Sequence, residues 1–248
     1  MITPTLDLER SLAAQGYDLI TGFDEVGRGA LAGPVMVGCA AIWACDLAPL
    51  DGDDSAELSG RTYLGVPDGV GQASNTEIDE WGITYALGVA ALRALSQVER
   101  ELGLRLGGGL TAKKAAGEIV EGRPGDSVGE SIGNCGESVR ALPKVAGILD
   151  GPSDYITKAL NTFDAPDVPI PADITTKVKG DQHCATVATA AVIAKVTRDR
   201  LMVDLAQSNP RYAAYEWAHN KGYGSAAHRT AIAEHGPTPL HRVSWHLT

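Results

Sequence analysis

Two kinds of apolar pattern alternate along the chain. Residues 17–25, "YDLITGFDE", form a short, nearly continuous apolar run that ends on two acids, Asp24 and Glu25, and reads as a strand. Residues 34–43, "PVMVGCAAIW", read as a second, buried strand. The segment 74–103, "SNTEIDEWGITYALGVAALRALSQVERELG", is helical: Ser74 or Thr76 can cap it, and Ile78, Ala86, Ala90 and Leu95 fall near one face. "KVAGILD" is a short strand closing on Asp150, with Gly151-Pro152 as its stop, and "ITTKVKGD" is an extended segment closing on Asp181. An alanine-rich helix is predicted from Asp181 to about Gln207, with Asp181 placed to favour its N-terminus.

Between these segments the pattern fails twice. Residues from Asp46 to about Asn75 are acidic and glycine-containing, and residues 103–136 hold ten glycines with few large apolar side chains. The second stretch reads as an inserted loop or flap. The expected architecture is α/β: a mixed sheet with flanking helices, residues 1–206 as the core with a Gly-rich insertion near 103–141, and residues 207–248 as a C-terminal helical part of the same domain.

The acids at the run ends carry the chemistry. Asp24, Glu25, Asp150 and Asp181 each close an apolar segment beside or near a glycine, and the ends of neighbouring strands are where open α/β sheets place ligands. Neighbours on a strand point to opposite faces, so Asp24 and Glu25 serve one site only if the chain bends just after them; Gly27 and Gly29 supply that option. A lone aspartate in such a place is most often a cap or half of an ion pair. Four carboxylates together repel one another, and a hard divalent cation removes that cost. A pair of such ions can activate water at a phosphodiester.

Charge and composition alter this picture little. A formal net charge of −10 taken alone argues against a nucleic-acid partner. The charge is uneven, however: residues 46–80 hold nine acids against Arg61 alone, whereas residues 195–248 hold seven bases against four acids. A locally basic surface stays compatible with phosphate binding. The start, "MITPTLDLERSLAAQ", shows no signal-peptide pattern, no apolar run approaches a membrane span, and the four cysteines form no CxxC pair. A cytoplasmic monomer with reduced cysteines and no membrane partner is expected.

Five ordered blocks then give a resemblance: "GFDEVGRGALAGPV", "ILDGP", "VKGDQHCATVATAAVIAKVTRDRLM", "NKGYGSAAH" and "GPTPLHRVSW". In this order they resemble the successive motifs of the type 2 ribonuclease H family (ribonuclease HII), over most of residues 17–101 and 144–248. The resemblance implies a ribonuclease H-like fold and a two-metal endonuclease using Mg²⁺ or Mn²⁺. Its substrates would be RNA in RNA–DNA hybrids and ribonucleotides embedded in duplex DNA, incised on the 5′ side to leave 3′-hydroxyl and 5′-phosphate ends. It makes Asp24, Glu25, Asp150 and Asp181 the metal-binding, catalytic carboxylates. Gly27, Arg28 and Gly29 match the turn that reads the 2′-hydroxyl, and Tyr223 matches the tyrosine that stacks on the ribose. Lys195 and Lys221, with Arg198 and Arg242, are weaker candidates for phosphate contacts, each also explicable as a surface charge or structural ion pair.

Three positions depart from the family pattern: Ala56 stands where a lysine is usual, Ala191 for a serine and Asn220 for a histidine. Two other classes fit the carboxylates: another two-metal nuclease on the same fold without ribonucleotide specificity, and a non-catalytic hybrid-binding module. The first has no reason to keep both "GRG" and "KGYG"; the second is expected to have lost at least one acid.

Overall fold

A computed structural model describes residues 3–47, 67–105, 142–163 and 165–247. In chain order, helix α1 (Asp7–Ala14) precedes strands β1 (Leu19–Val26) and β2 (Val35–Trp43), and a single helical turn α2 (Ala44–Leu47) follows. Strand β3 (Asp68–Ala73) leads into α3 (Asn75–Trp81) and α4 (Ile83–Glu101). After β4 (Val145–Asp150) come α5 (Ile156–Leu160), β5 (Asp173–Lys177), α6 (Gly180–His183) and the long α7 (Ala185–Ser208). A 3-10 turn (Pro210–Tyr215), α8 (Trp217–Asn220) and α9 (Ala226–His235) complete the described chain.

The strands form one mixed sheet in the order β3-β2-β1-β4-β5. β1 is central, antiparallel to β2 and parallel to β4, with Phe23 opposite both Cys39 and Leu149. Strand alternation sorts the side chains. Phe23, Val37, Cys39 and Leu149 join the core under α4, while Ile20 and Ile148 join a second cluster with Val187 of α7. The sheet is therefore sandwiched, with α4 on one face and α7 on the other.

α7 sits unusually close to the sheet. A β-carbon on Gly22 would fall 2.4 Å from the Thr186 backbone, and one on Gly38 would fall 2.2 Å from the Ala190 carbonyl oxygen. The far half of α7 contributes Met202 to a separate core with Leu31, Ala32, Tyr215, Trp217 and Ile232, so the C-terminal helices pack on the segment between β1 and β2.

Three expectations need correction. β3 lies within the stretch read as patternless; six residues with two glycines carry too weak an alternation to register. The predicted helix over 74–103 is two helices, because Gly82 takes φ +79° and ends the first turn set, which Ser74 and Glu77 open with a reciprocal capping box. The predicted helix from Asp181 is also interrupted: Cys184 is extended, so Asp181 sits in the short α6. The N-terminus of α7 is served instead by Glu9 of α1, whose Oε1 accepts from the Thr186 N–H at 3.0 Å and its hydroxyl at 2.8 Å. Ala56 and residues 106–141 of the predicted insertion lie outside the described residues. Among the described residues no helix is long and apolar enough to cross a membrane.

Candidate active site

The C-terminal end of β1 meets the C-terminal end of β4 at the acids. β1 runs on through Val26, so the chain turns only at Gly27, where φ is +82°. Alternation therefore separates the two adjacent carboxylates. Asp24 lies on the α7 face with Gly22, and Glu25 lies on the α4 face with Phe23. Asp150, in register beyond Leu149, shares the α7 face with Asp24.

Each acid has its own partners. Asp24 Oδ1 accepts from the Glu25 N–H at 2.9 Å. Burial, then the charge of Asp150, and further the charges of Glu25 and Asp181, push the Asp24 carboxyl up to about 7. Asp150 Oδ1 accepts from the Gly180 N–H at 2.7 Å, which ties the end of β4 to the start of α6 and so to Asp181, an exposed side chain one residue on. Lys179, just before, holds a left-handed backbone (φ 57°), which turns the chain from β5 into α6. Glu25 is engaged at both oxygens: Arg28 Nη1 lies 3.1 Å from Oε1, and the Tyr155 hydroxyl donates to Oε2 at 3.0 Å.

This donor set suits a hard cation: it is all oxygen, and burial together with the neighbouring acids raises the Asp24 carboxyl to about 7. Among the described residues no three Asp, Glu, His or Cys side chains stand close enough to enclose an ion. An ion that keeps its waters and takes substrate phosphate oxygens requires only one or two protein carboxylates. Asp24 and Asp150 thus share the α7 face at paired strand ends, Asp181 follows the Gly180 whose N–H bonds Asp150, and Glu25 lies on the α4 face; the four acids expected to converge do not close around one point among the described residues.

The Gly27–Arg28–Gly29 turn meets Tyr223 directly. The Gly27 N–H donates to the Tyr223 hydroxyl at 3.0 Å, and Ala30 bridges Tyr223 in an antiparallel pair. Tyr223 is 40% exposed, leaving part of its ring open, and the Arg198 guanidinium lies 5.5 Å from its centre. Its carbonyl accepts from His228 Nδ1 (2.9 Å), whose Nε2 receives the Trp217 N–H at 3.0 Å; that tautomer follows because indole only donates. Asn220, in the place of the family's histidine, holds the same turn, accepting from the Gly222 N–H and donating to the Tyr215 carbonyl.

The basic candidates divide. Lys195 is exposed and pairs with Asp199 at 2.7 Å. Lys221 donates to the Ala218 carbonyl. Arg198 and Arg242 are not surface phosphate contacts: both are fully buried and bond backbone carbonyls. Sequence reasoning missed Tyr155; its place five residues after Asp150 is the one signal that it lies near the site.

A family profile described as Ribonuclease HII matches residues 154–248. A ribonuclease HII of Streptomyces avermitilis is 38% identical over 252 aligned positions, covering 98% of this chain and 83% of the relative. The chain belongs to the ribonuclease HII family. Ribonuclease HII enzymes are endoribonucleases of the ribonuclease H type, so the acids and the glycine turn lie in a phosphodiester hydrolase. The fold agrees with solved structures. The ribonuclease H2 of Pyrococcus horikoshii superposes with a TM-score of 0.53 at 18% identity, over 92% of this chain and 94% of that one. Bst-RNase HIII in complex with Mn²⁺ superposes at 0.50 and 18% identity, over 90% and 72%.

Proposed function

We propose that this endoribonuclease incises duplex DNA on the 5′ side of an embedded ribonucleotide, and also cleaves RNA in RNA–DNA hybrids, leaving 3′-hydroxyl and 5′-phosphate ends. The observation that carries the reading is the bond between the Gly27 N–H and the Tyr223 hydroxyl. It joins a sugar-sized aromatic face to a glycine turn that begins two residues past Glu25. The 2′-hydroxyl is what distinguishes RNA from DNA at a site, and a glycine turn lets backbone groups approach it.

Asp24, Glu25, Asp150 and Asp181 are proposed to hold divalent cations, which when bound would lower the pKa of water and offset negative charge developing on the phosphate and leaving-group oxygens. The raised Asp24 carboxyl supports this assignment, because a cation beside it would restore its charge. The remaining steps fall to the protein itself. The Arg28 and Gly29 amides and the Tyr223 hydroxyl would receive the ribose, and the open part of the Tyr223 ring would pack on the sugar. Lys195, exchanging Asp199 for a backbone phosphate, and Lys221, beside Tyr223, would anchor the flanking strand. Tyr155 and Arg28 keep Glu25 oriented throughout.

The test uses end-labelled duplexes of one sequence, with one ribonucleotide, a run of ribonucleotides or none, in Mg²⁺, Mn²⁺ or EDTA. Cleavage 5′ of the single ribonucleotide, dependent on metal, is the expected result. Cyclic phosphate ends, activity in EDTA, or equal cutting of the all-deoxy duplex would refute it.

A further inference from the structure

Arg198 and Arg242 are both buried completely, and no carboxylate pairs with either among the described residues. Burying unpaired guanidinium groups is unfavourable, and here the two also repel. Burial first, then the charge of Arg198, pushes the Arg242 group down to about 9, which leaves it cationic at neutral pH.

Carbonyl oxygens take the place of carboxylates. Arg242 donates through Nη1 to Arg28 O at 2.8 Å and through Nη2 to Gly27 O at 2.7 Å. Its Nε and Nη2 both reach Gly33 O, at 3.2 and 3.1 Å. Arg198 donates to the carbonyls of Pro34, Lys221 and Ala32. All three nitrogens of each buried fork are thus engaged in fixing the segment between β1 and β2 and its contact with Lys221.

The two carbonyls on the Arg242 Nη atoms decide where the loop's amides point. Gly27 C=O shares a peptide unit with the Arg28 N–H, and Arg28 C=O shares one with the Gly29 N–H. No peptide in the described chain is cis. A trans unit points its carbonyl and its N–H in opposite directions. Holding both oxygens inward on Arg242 therefore turns both N–H groups away from the interior. Consistent with this, Arg28 and Gly29 are exposed, neither amide finds a backbone acceptor among the described residues, and the space beyond the Gly29 α-carbon is open. A cation on the oxygen also polarises the unit, making its N–H a better donor.

We infer that Arg242, backed by Arg198, is a positioning residue for substrate specificity: its fork sets the Gly27 and Arg28 carbonyls inward and presents the Arg28 and Gly29 amides to the sugar. Arg198 extends the device by holding Ala32 and Lys221, which flank the Ala30–Tyr223 bridge, so turn and ring keep one spacing. The inference rests on the ribonucleotide-incision reading above. A lysine at position 242 keeps the charge but, as a point donor, cannot serve Gly27, Arg28 and Gly33 in this geometry.

The experiment compares Arg242→Lys with the unsubstituted enzyme on the single-ribonucleotide duplex and the long hybrid, with melting temperatures alongside. In the folded variant, KM for the single-ribonucleotide duplex should rise about tenfold or more, equivalent to about 1.4 kcal/mol, with kcat changed far less. KM for the long hybrid should rise less, because neighbouring 2′-hydroxyls offer alternative registers. Equal rises on both substrates, or none, would overturn the inference. Should Arg242→Lys fail to fold, Arg198→Lys, which loosens the same segment by giving up bonds to the Pro34, Lys221 and Ala32 carbonyls, is measured on the same two substrates; equal rises on both, or none, overturn the inference. Failure of the parent reading shows separately, as an unsubstituted enzyme that cuts ribonucleotide-containing and all-deoxy duplexes alike.

Discussion

Replacing Asp24 by Asn should stabilise the metal-free protein, and the gain should depend on pH. The Asp24 carboxyl is raised from 3.8 to about 7. Its folded-state pKa lies above its unfolded one, so the folded protein binds the extra proton between about pH 4 and pH 7. Stability therefore falls as pH rises through that window, and the full penalty applies above it. Three pH units correspond to about 4 kcal/mol; partial exposure at the open end of the sheet roughly halves that through solvent screening. Asn keeps an Oδ1 to accept from the Glu25 N–H and carries no charge at any of these pH values. A gain of about 2 kcal/mol translates to roughly 4–8 °C in a chain of this size. The assay is thermal unfolding in EDTA from pH 4 to pH 8, with turnover measured in Mg²⁺. The Asp24→Asn variant should melt higher at pH 8, match the unsubstituted protein at pH 4, and turn over at a small fraction of its rate. Matching melting temperatures at pH 8, or an offset that persists at pH 4, would refute the account of a carboxyl raised by burial and by its acidic neighbours.

Other substitutions probe the neighbouring groups. Tyr155→Phe removes the donor to Glu25 Oε2 while leaving the buried ring; turnover should fall about tenfold for one lost bond to a charged group, and an unchanged rate would show that Arg28 alone orients Glu25. Tyr223→Phe leaves the Gly27 N–H without its acceptor, worth about 1–3 kcal/mol, so in single-ribonucleotide kinetics it should approach the loss in Tyr223→Ala; a near-silent Phe variant would mean that the ring face alone matters. Glu9→Ala strips the α7 N-terminus of its acceptor and should cost about 1–2 kcal/mol in urea unfolding, with Glu9→Gln milder; equal stability of all three would dismiss the cap.

The site was legible in the sequence where chemistry coincided with a local pattern. Asp24, Glu25 and Asp150 stand at the ends of apolar runs long enough to read as strands, and Gly27 announces the turn that follows. Where long-range packing decided the outcome, the sequence was mute. Glu9 lies 177 positions from Thr186 yet caps its helix, and Asp181, which local rules favoured for that role, stands beyond a break at Cys184. Arg242 carries the charge of a phosphate ligand, but its acceptors are carbonyls 214 and 215 positions away. β3 escaped notice for a different reason: its glycines meet α4 by backbone approach, so its burial needs few apolar side chains.

The seating of α7 on Gly22 and Gly38 gives the molecule a mechanical hard stop. Where side chains separate a helix from a sheet, repacking or thermal motion changes the gap. Here main chain rests against main chain at Thr186 and Ala190, and that gap has almost no compressible material in it. The same strand carries Asp24 two residues beyond Gly22, and α6 with Asp181 precedes the helix end fixed at Thr186. Substitutions elsewhere in the core can therefore soften or stiffen the protein while the strand that carries Asp24 and the first turn of α7 keep their spacing.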